Sequence, residues 1–134
     1  IVRDAFAGES VPSQLRTLEF TAQCHRVIRE GGLLLANSAH GGSDNAHIDL
    51  AGMRESFADV QALCDPKVGR GARRGNIVFL AQYSPQSVNE AELDRLLRKL
   101  PLPARPLRGK DLSKWQAGTR AMSDAEIGWG SDEA

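Results

Sequence analysis

Asp4 is the first residue whose placement suggests chemistry. It follows Ile1-Val2-Arg3, which reads as the last turn of a buried strand, and it opens a loop carrying Gly8, Ser10 and Pro12. An acid at that point either caps the loop backbone or faces a ligand beyond the strand end. Asn37 closes the apolar run LLLAN (33–37) in a similar way. Ligand-facing groups gather at such strand ends in α/β sheets, and Asn there also commonly hydrogen-bonds the loop backbone. His25, His40 and His47 do not form a compact ligand set such as H-x-x-x-H, so no metal site is expected. Cys24 and Cys64 lack metal-like spacing and read as buried, reduced thiols. GRGARRG (69–75) clusters Arg70, Arg73 and Arg74 beside Lys67. A phosphate cradle must follow a strand and open a helix, whereas this stretch precedes a strand. No aromatic side chain is interleaved to stack on bases, and a solvated, mobile connector is expected.

The elements that must position these residues follow from periodicity. Thr17 reads as an N-cap with Glu19 in the first turn, and Phe20, Cys24, Val27 and Ile28 lie on one face of a helix stopped by Gly31-Gly32. Residues 33–37 have no polar alternation, as in a strand buried on both faces. Ser43 or Asp44 is expected to cap a second helix with Ala46, Leu50, Met53 and Phe57 on its apolar face. Val60 to Cys64 is a short strand ended by Asp65-Pro66, and NIVFLAQYS (76–84) is the strongest strand. Ser87 and Glu90 form a capping box before Leu93, Leu96, Leu97 and Leu100. The prolines of PLPARPL (101–107) exclude helix interior, and DLSKWQ (111–116) suits one short helical turn. Trp115 is expected to pack, and Trp129 to be exposed or part of a contact. The order strand, helix, strand, helix, strand, strand, helix implies an α/β sheet. Strands 60–64 and 76–82, joined without a helix, should pair antiparallel at the end of an otherwise parallel sheet.

The chain has 134 residues, enough for one domain with a core, and Lys+Arg equals Asp+Glu at 17 each. A net charge of zero gives no bulk attraction to nucleic acid or an anionic membrane. No apolar run approaches the ~18 residues of a membrane span. A cytoplasmic protein without nucleic-acid or membrane partners is expected.

The sequence D-A-F-x-x-x-x-V-P-x-x-L-x-T-x-E-F (Asp4 to Phe20), followed by R-V-I-R-E-G-G-L-L-L-A-N (Arg26 to Asn37), resembles the spermidine synthase-like family, the polyamine aminopropyltransferases. It looks closest to actinobacterial-type members. G-N-I-V-F-L-A (Gly75 to Ala81) fits their last strand, and P-A-R-P-L-R-G-K-D-L (103–112) fits their C-terminal extension. The resemblance runs to about Gly118, and the order and spacing of the motifs carry it. It implies the later half of a methyltransferase-type Rossmann domain over residues 1–117: a mostly parallel sheet ending in an antiparallel strand pair, with helices on both faces. The acidic, small-residue-rich stretch 118–134 reads as a loose tail. The first half, with its glycine-rich nucleoside turn and ribose-binding acid, is expected to be missing from this chain.

The resemblance also implies roles. In the family a D-x-x-D-P loop after the fourth strand holds and deprotonates the attacking amine. Asp4 matches its first Asp, while Ala7 and Gly8 stand where the second Asp and the Pro would be. Asp4 is therefore the catalytic and substrate-binding candidate, and Pro12, which matches the family proline after the loop, and Asn37 are further substrate-binding candidates. The implied activity is aminopropyl transfer from decarboxylated S-adenosylmethionine to a small-molecule amine. No cofactor is expected to be tightly bound. An S-adenosylmethionine-dependent methyltransferase-fold enzyme and a non-catalytic binding or dimerisation module are the alternatives. An unpaired edge at Ile1 and Val2 would invite a second chain, so a homo-oligomer is expected.

Overall fold

The computed structural model describes residues 1–85, 87–102 and 104–129. Five strands and five helices alternate along it: β1 (Val2–Arg3), α1 (Leu18–Val27), β2 (Leu33–His40), α2 (Ala46–Arg54), β3 (Asp59–Cys64), α3 (Pro66–Gly69), β4 (Gly75–Gln82), α4 (Glu90–Arg98), β5 (Arg105–Leu107) and α5 (Gly109–Gln116). The strands form one sheet in the order β1-β2-β4-β3-β5. β1 and β2 are parallel, and β3 and β4 are antiparallel as expected. β4, however, inserts between β2 and β3 and runs antiparallel to both. β1, β2 and β3 thus point one way, yet β1–β2 is the one parallel pairing among the described residues. The connector after β3 is too short for a crossover, so the chain must double back at once, and β4 fills the gap beside β3. β5 was unforeseen. Pro106 has no N–H to give a ladder, which suits β5 to the sheet edge it occupies.

Pleating separates the sheet faces. Leu34 and Ala36 of β2, Phe79 and Ala81 of β4, and Val60 and Ala62 of β3 share one face through their register. They form a continuous core with Leu50, Met53 and Phe57 of the α2 region, Cys24 of α1 and Leu112 of α5. Leu35, Leu80 and Gln61 share the opposite face. There Arg108 bridges Gln61 to Asp94 of α4, with hydrogen bonds of 2.7 Å to each.

Local signals held where a side chain had no competing partner. Thr17 caps α1, its Oγ1 accepting from the Phe20 N–H at 3.2 Å. The helix ends at Val27, because Ile28 turns extended before the glycine pair is reached. Asn45 caps α2, accepting from His47 N–H at 3.0 Å, because the Asp44 carboxylate is engaged by Ser10 and Arg74. Asn89 rather than Ser87 caps α4, since the Ser87 hydroxyl donates to the Ser84 carbonyl. Helix α5 runs eight residues, longer than one turn.

Two segments expected to be loose make defined contacts, and the connector residues Arg70–Arg74 are solvent-exposed as expected. Asp65 caps the short helix α3 inside the basic connector, Arg73 pairs with Asp65, and Arg74 pairs with Glu9 and Asp44. Residues 118–129 dock on the start of α1. The Met122 carbonyl accepts the Leu18 N–H, Thr17 Oγ1 donates to Asp124 at 2.6 Å, and Glu19 accepts the Asp124 N–H. The start of a helix leaves N–H groups without partners, and Met122 satisfies one of them. Residues 130–134, also expected to be loose, lie outside the described residues.

Candidate functional site

β1 ends at Arg3, so Asp4 begins the loop at the C-terminal end of that strand. Parallel pairing sets Arg3 against Ala36 and brings Asp4 beside Asn37. The Asn37 Nδ2 donates to Asp4 Oδ1 at 3.2 Å. This unites two of the sequence candidates. Asn37 is not at a strand end, because β2 continues through Ser38 and Ala39 to His40. Alternation turns Asn37 to the face opposite the α1–α2 core. Asp4 is exposed, makes no ion pair among the described residues, and its neighbour's Asn37 Oδ1 is buried without a donor. Pro12 lies apart. It enters the turn Ser13–Leu15, its carbonyl accepting the Leu15 N–H at 3.0 Å.

The residues that hold this loop were missed. Arg3 is 5% exposed and Asp49 of α2 2% exposed, and they pair at 3.2 Å. Arg16 pairs with the other Asp49 oxygen at 2.7 Å, and Ser38 donates to Asp49 at 2.6 Å. Arg3 also donates to the carbonyls of Leu15 and Asn37. One buried carboxylate thus ties both ends of the Asp4–Arg16 loop to β2 and α2. Burial pulls the Arg3 guanidinium below its ordinary pKa, against the pull of Asp49. The available signal was Asp49 itself, an acid on the apolar face between Ala46 and Leu50. A charge there needs a buried partner.

A second clamp holds the loop tip. Ser10 donates to Asp44 at 2.8 Å, and Arg74 reaches Asp44 at 2.5 Å and Glu9 at 3.0 Å. The hydrogen bond from Arg74 holds the Asp44 carboxyl below the usual carboxylate range. Gly41 makes this approach workable. Its φ is +100°, and a Cβ there would stand 2.9 Å from the Arg74 Cα.

The histidines serve packing. The His40 Nδ1 accepts the Ala46 N–H at 3.1 Å, and the rings of His40 and His47 lie 5.3 and 4.0 Å from that of Trp115. His25 stacks on Tyr83 and meets Phe57 edge-on, each at 5.0 Å between ring centroids. Among the described residues no group of three or more His, Cys, Asp or Glu could hold a metal. Both cysteines are free and buried. Trp115 packs as expected, and Trp129 is 56% exposed.

No family model matches the chain, and no curated protein matches it. A solved structure does: the crystal structure of a probable spermidine synthase from Corynebacterium glutamicum ATCC 13032 is 34% identical with a TM-score of 0.78. The match covers 92% of this chain and 46% of that one, so the chain spans about half the length of that protein. The chain is a mixed α/β unit with one five-stranded sheet, and its fold matches a Rossmann-like half of that probable spermidine synthase.

Proposed function

We propose that this chain supplies the amine-binding side of an aminopropyltransferase site of the spermidine synthase type. The observation that carries the reading is the Asp4–Asn37 pair. It joins an exposed carboxylate free of ion pairs among the described residues to a carboxamide oxygen lacking a donor. An alkylammonium supplies N–H donors and a positive charge to the exposed Asp4 carboxylate, which the Asn37 Nδ2 holds by a hydrogen bond. The similarity to a probable spermidine synthase supports the same reading.

A protonated amine has no lone pair to attack with, so it must lose a proton first. In this reading Asp4 orients the ammonium and accepts that proton. The amine nitrogen then forms a bond to the aminopropyl carbon on the sulfonium of decarboxylated S-adenosylmethionine. The carbon–sulfur bond breaks, its electron pair stays on sulfur, and methylthioadenosine leaves. The co-substrate supplies the electrophile, and this chain's assigned residues act on the amine alone. With Ala7 in place of a second acid, Asp4 carries the proton transfer unaided. No helix among the described residues is long and apolar enough to cross a membrane, and a cytoplasmic location belongs to the same proposal.

Calorimetry with 1,4-diaminobutane tests the reading, alone and with decarboxylated S-adenosylmethionine, S-adenosylmethionine or methylthioadenosine. Diamine binding should weaken about tenfold in Asp4→Asn, the loss of one charge-assisted contact. Diamine affinity equal in parent and variant rejects the role of Asp4. Binding of S-adenosylmethionine in preference to its decarboxylated form favours a methyltransferase.

A second reading, a binding or dimerisation module, is favoured by the sheet edge. Val2 on β1 is 72% exposed, and Ile1 and Val27 are exposed beside it. An open apolar edge pairs readily with a second copy. Light scattering at rising concentration should then show a dimer that Val2→Lys disperses.

A further inference from the structure

We propose that the cavity between β3, α3, β5 and α5 binds a small organic anion with a flat apolar body, such as an aromatic carboxylate or a phosphate monoester. The cavity is about 280 Å³, near the lower end of ligand-site sizes and suited to a single ring. Cys64, Leu107, Pro106 and Trp115 make its apolar wall, and Arg70 and Arg105 line it with charge. It sits by the β5 edge, while Asp4 sits by the β1 edge, so it is independent of the amine site.

Two observations give it a ligand class. The first is the rigidity of Trp115. Its Nε1–H donates to the Gly69 carbonyl at 2.7 Å, and its ring packs against His47, His40 and Phe79. The indole is therefore held in place before any ligand arrives, and an apolar ring loses little entropy in meeting it. The second is the pair of idle cations. Arg73 is paired with Asp65, and Arg108 with Asp94 and Gln61. Arg70 and Arg105 make no ion pair and no side-chain hydrogen bond among the described residues, and both are exposed. Guanidinium forks match carboxylate and phosphate oxygens, and an apolar wall beneath them excludes a fully hydrated inorganic ion in favour of an aromatic one.

The test uses the Trp129→Phe protein, in which Trp115 is the sole indole. Phenyl phosphate should change Trp115 emission saturably, and benzyl alcohol or inorganic phosphate alone should bind at least about tenfold more weakly. Arg70→Ala/Arg105→Ala should weaken phenyl phosphate about tenfold or more while leaving the far-ultraviolet circular dichroism unchanged, since both side chains are exposed. Absence of a saturable response up to about 10 mM overturns the proposal. So does equal affinity for phenyl phosphate and inorganic phosphate, or parental affinity in the double variant.

Discussion

Asp49→Asn takes one charge from the buried cluster and almost no volume, so its effect isolates electrostatics. Asp49 faces Arg3 at 3.2 Å and Arg16 at 2.7 Å and is 2% exposed. At an effective dielectric constant of about 20, each pair gains about 4 kcal/mol with charge centres about 4 Å apart. Desolvation of the three ions offsets much of that gain in the intact protein. The substitution leaves the same desolvation cost and removes the attraction. Arg3, itself 5% exposed, then lies buried with no counter-charge, and Arg16 repels it. Breaking a buried pair in this way costs about 3–5 kcal/mol. Against a total of about 5–15 kcal/mol for a domain, that is a large share. Urea denaturation at pH 7, followed by circular dichroism, reads the loss as a lower midpoint with an unchanged slope. Adding Arg3→Met to Asp49→Asn should recover about 1–2 kcal/mol, because the stranded cation is gone. A loss below about 1 kcal/mol for Asp49→Asn would show that the cluster is effectively hydrated, and the loop-anchoring argument would fail with it.

Other expectations concern acid, turns and the docked tail. Burial holds the imidazoles of His40 and His47 below the ordinary 6.5. The unfolded chain then binds protons that the folded one refuses, so stability is full above pH 6.5 and falls as pH drops through the lowered values. His40 alone contributes up to about 1.4 kcal/mol per pH unit in that window. Melting between pH 8 and 5 should show the decline, His40→Gln should flatten it, and a level parental profile would refute it. Gly41→Ala should cost about 1–3 kcal/mol by thermal melting, since an L residue is strained at φ +100° and its Cβ meets the Arg74 backbone. Thr17→Ala should cost about 1–2 kcal/mol by removing a helix cap, and should expose residues 118–129 to limited proteolysis because the Thr17–Asp124 hydrogen bond is lost. Unchanged proteolysis would separate the cap from the tail.

What was legible in the amino-acid order was local. The apolar spacing of Ala46, Leu50, Met53 and Phe57 announced a helix, and all four are buried, although the helix ends at Arg54 and Phe57 packs from the turn beyond it. The unbroken run of β4 announced a strand, and its antiparallel pairing with β3 followed from the short connector. Asp4 and Asn37 were legible as candidates because each follows an apolar strand-like run. Caps were less legible. Ser43, Asp44 and Ser87 have the right chemistry for an N-cap, but Asp44 and Ser87 are committed to other partners, and a neighbouring Asn took the position each time.

Sequence by itself therefore determined the longer helices and strands, because periodicity acts over a few residues, but not the short elements α3 and β5. It also determined that an acid opens the loop after β1. Tertiary structure decided that Asp4 meets Asn37, that β4 slips between β2 and β3, and that Arg3, Arg16, Ser38 and Asp49 converge on one buried charge. Those partners lie between 11 and 46 positions apart. No local preference encodes a distance in space, and only the cost of leaving a buried charge or hydrogen-bonding group unpaired selects the arrangement.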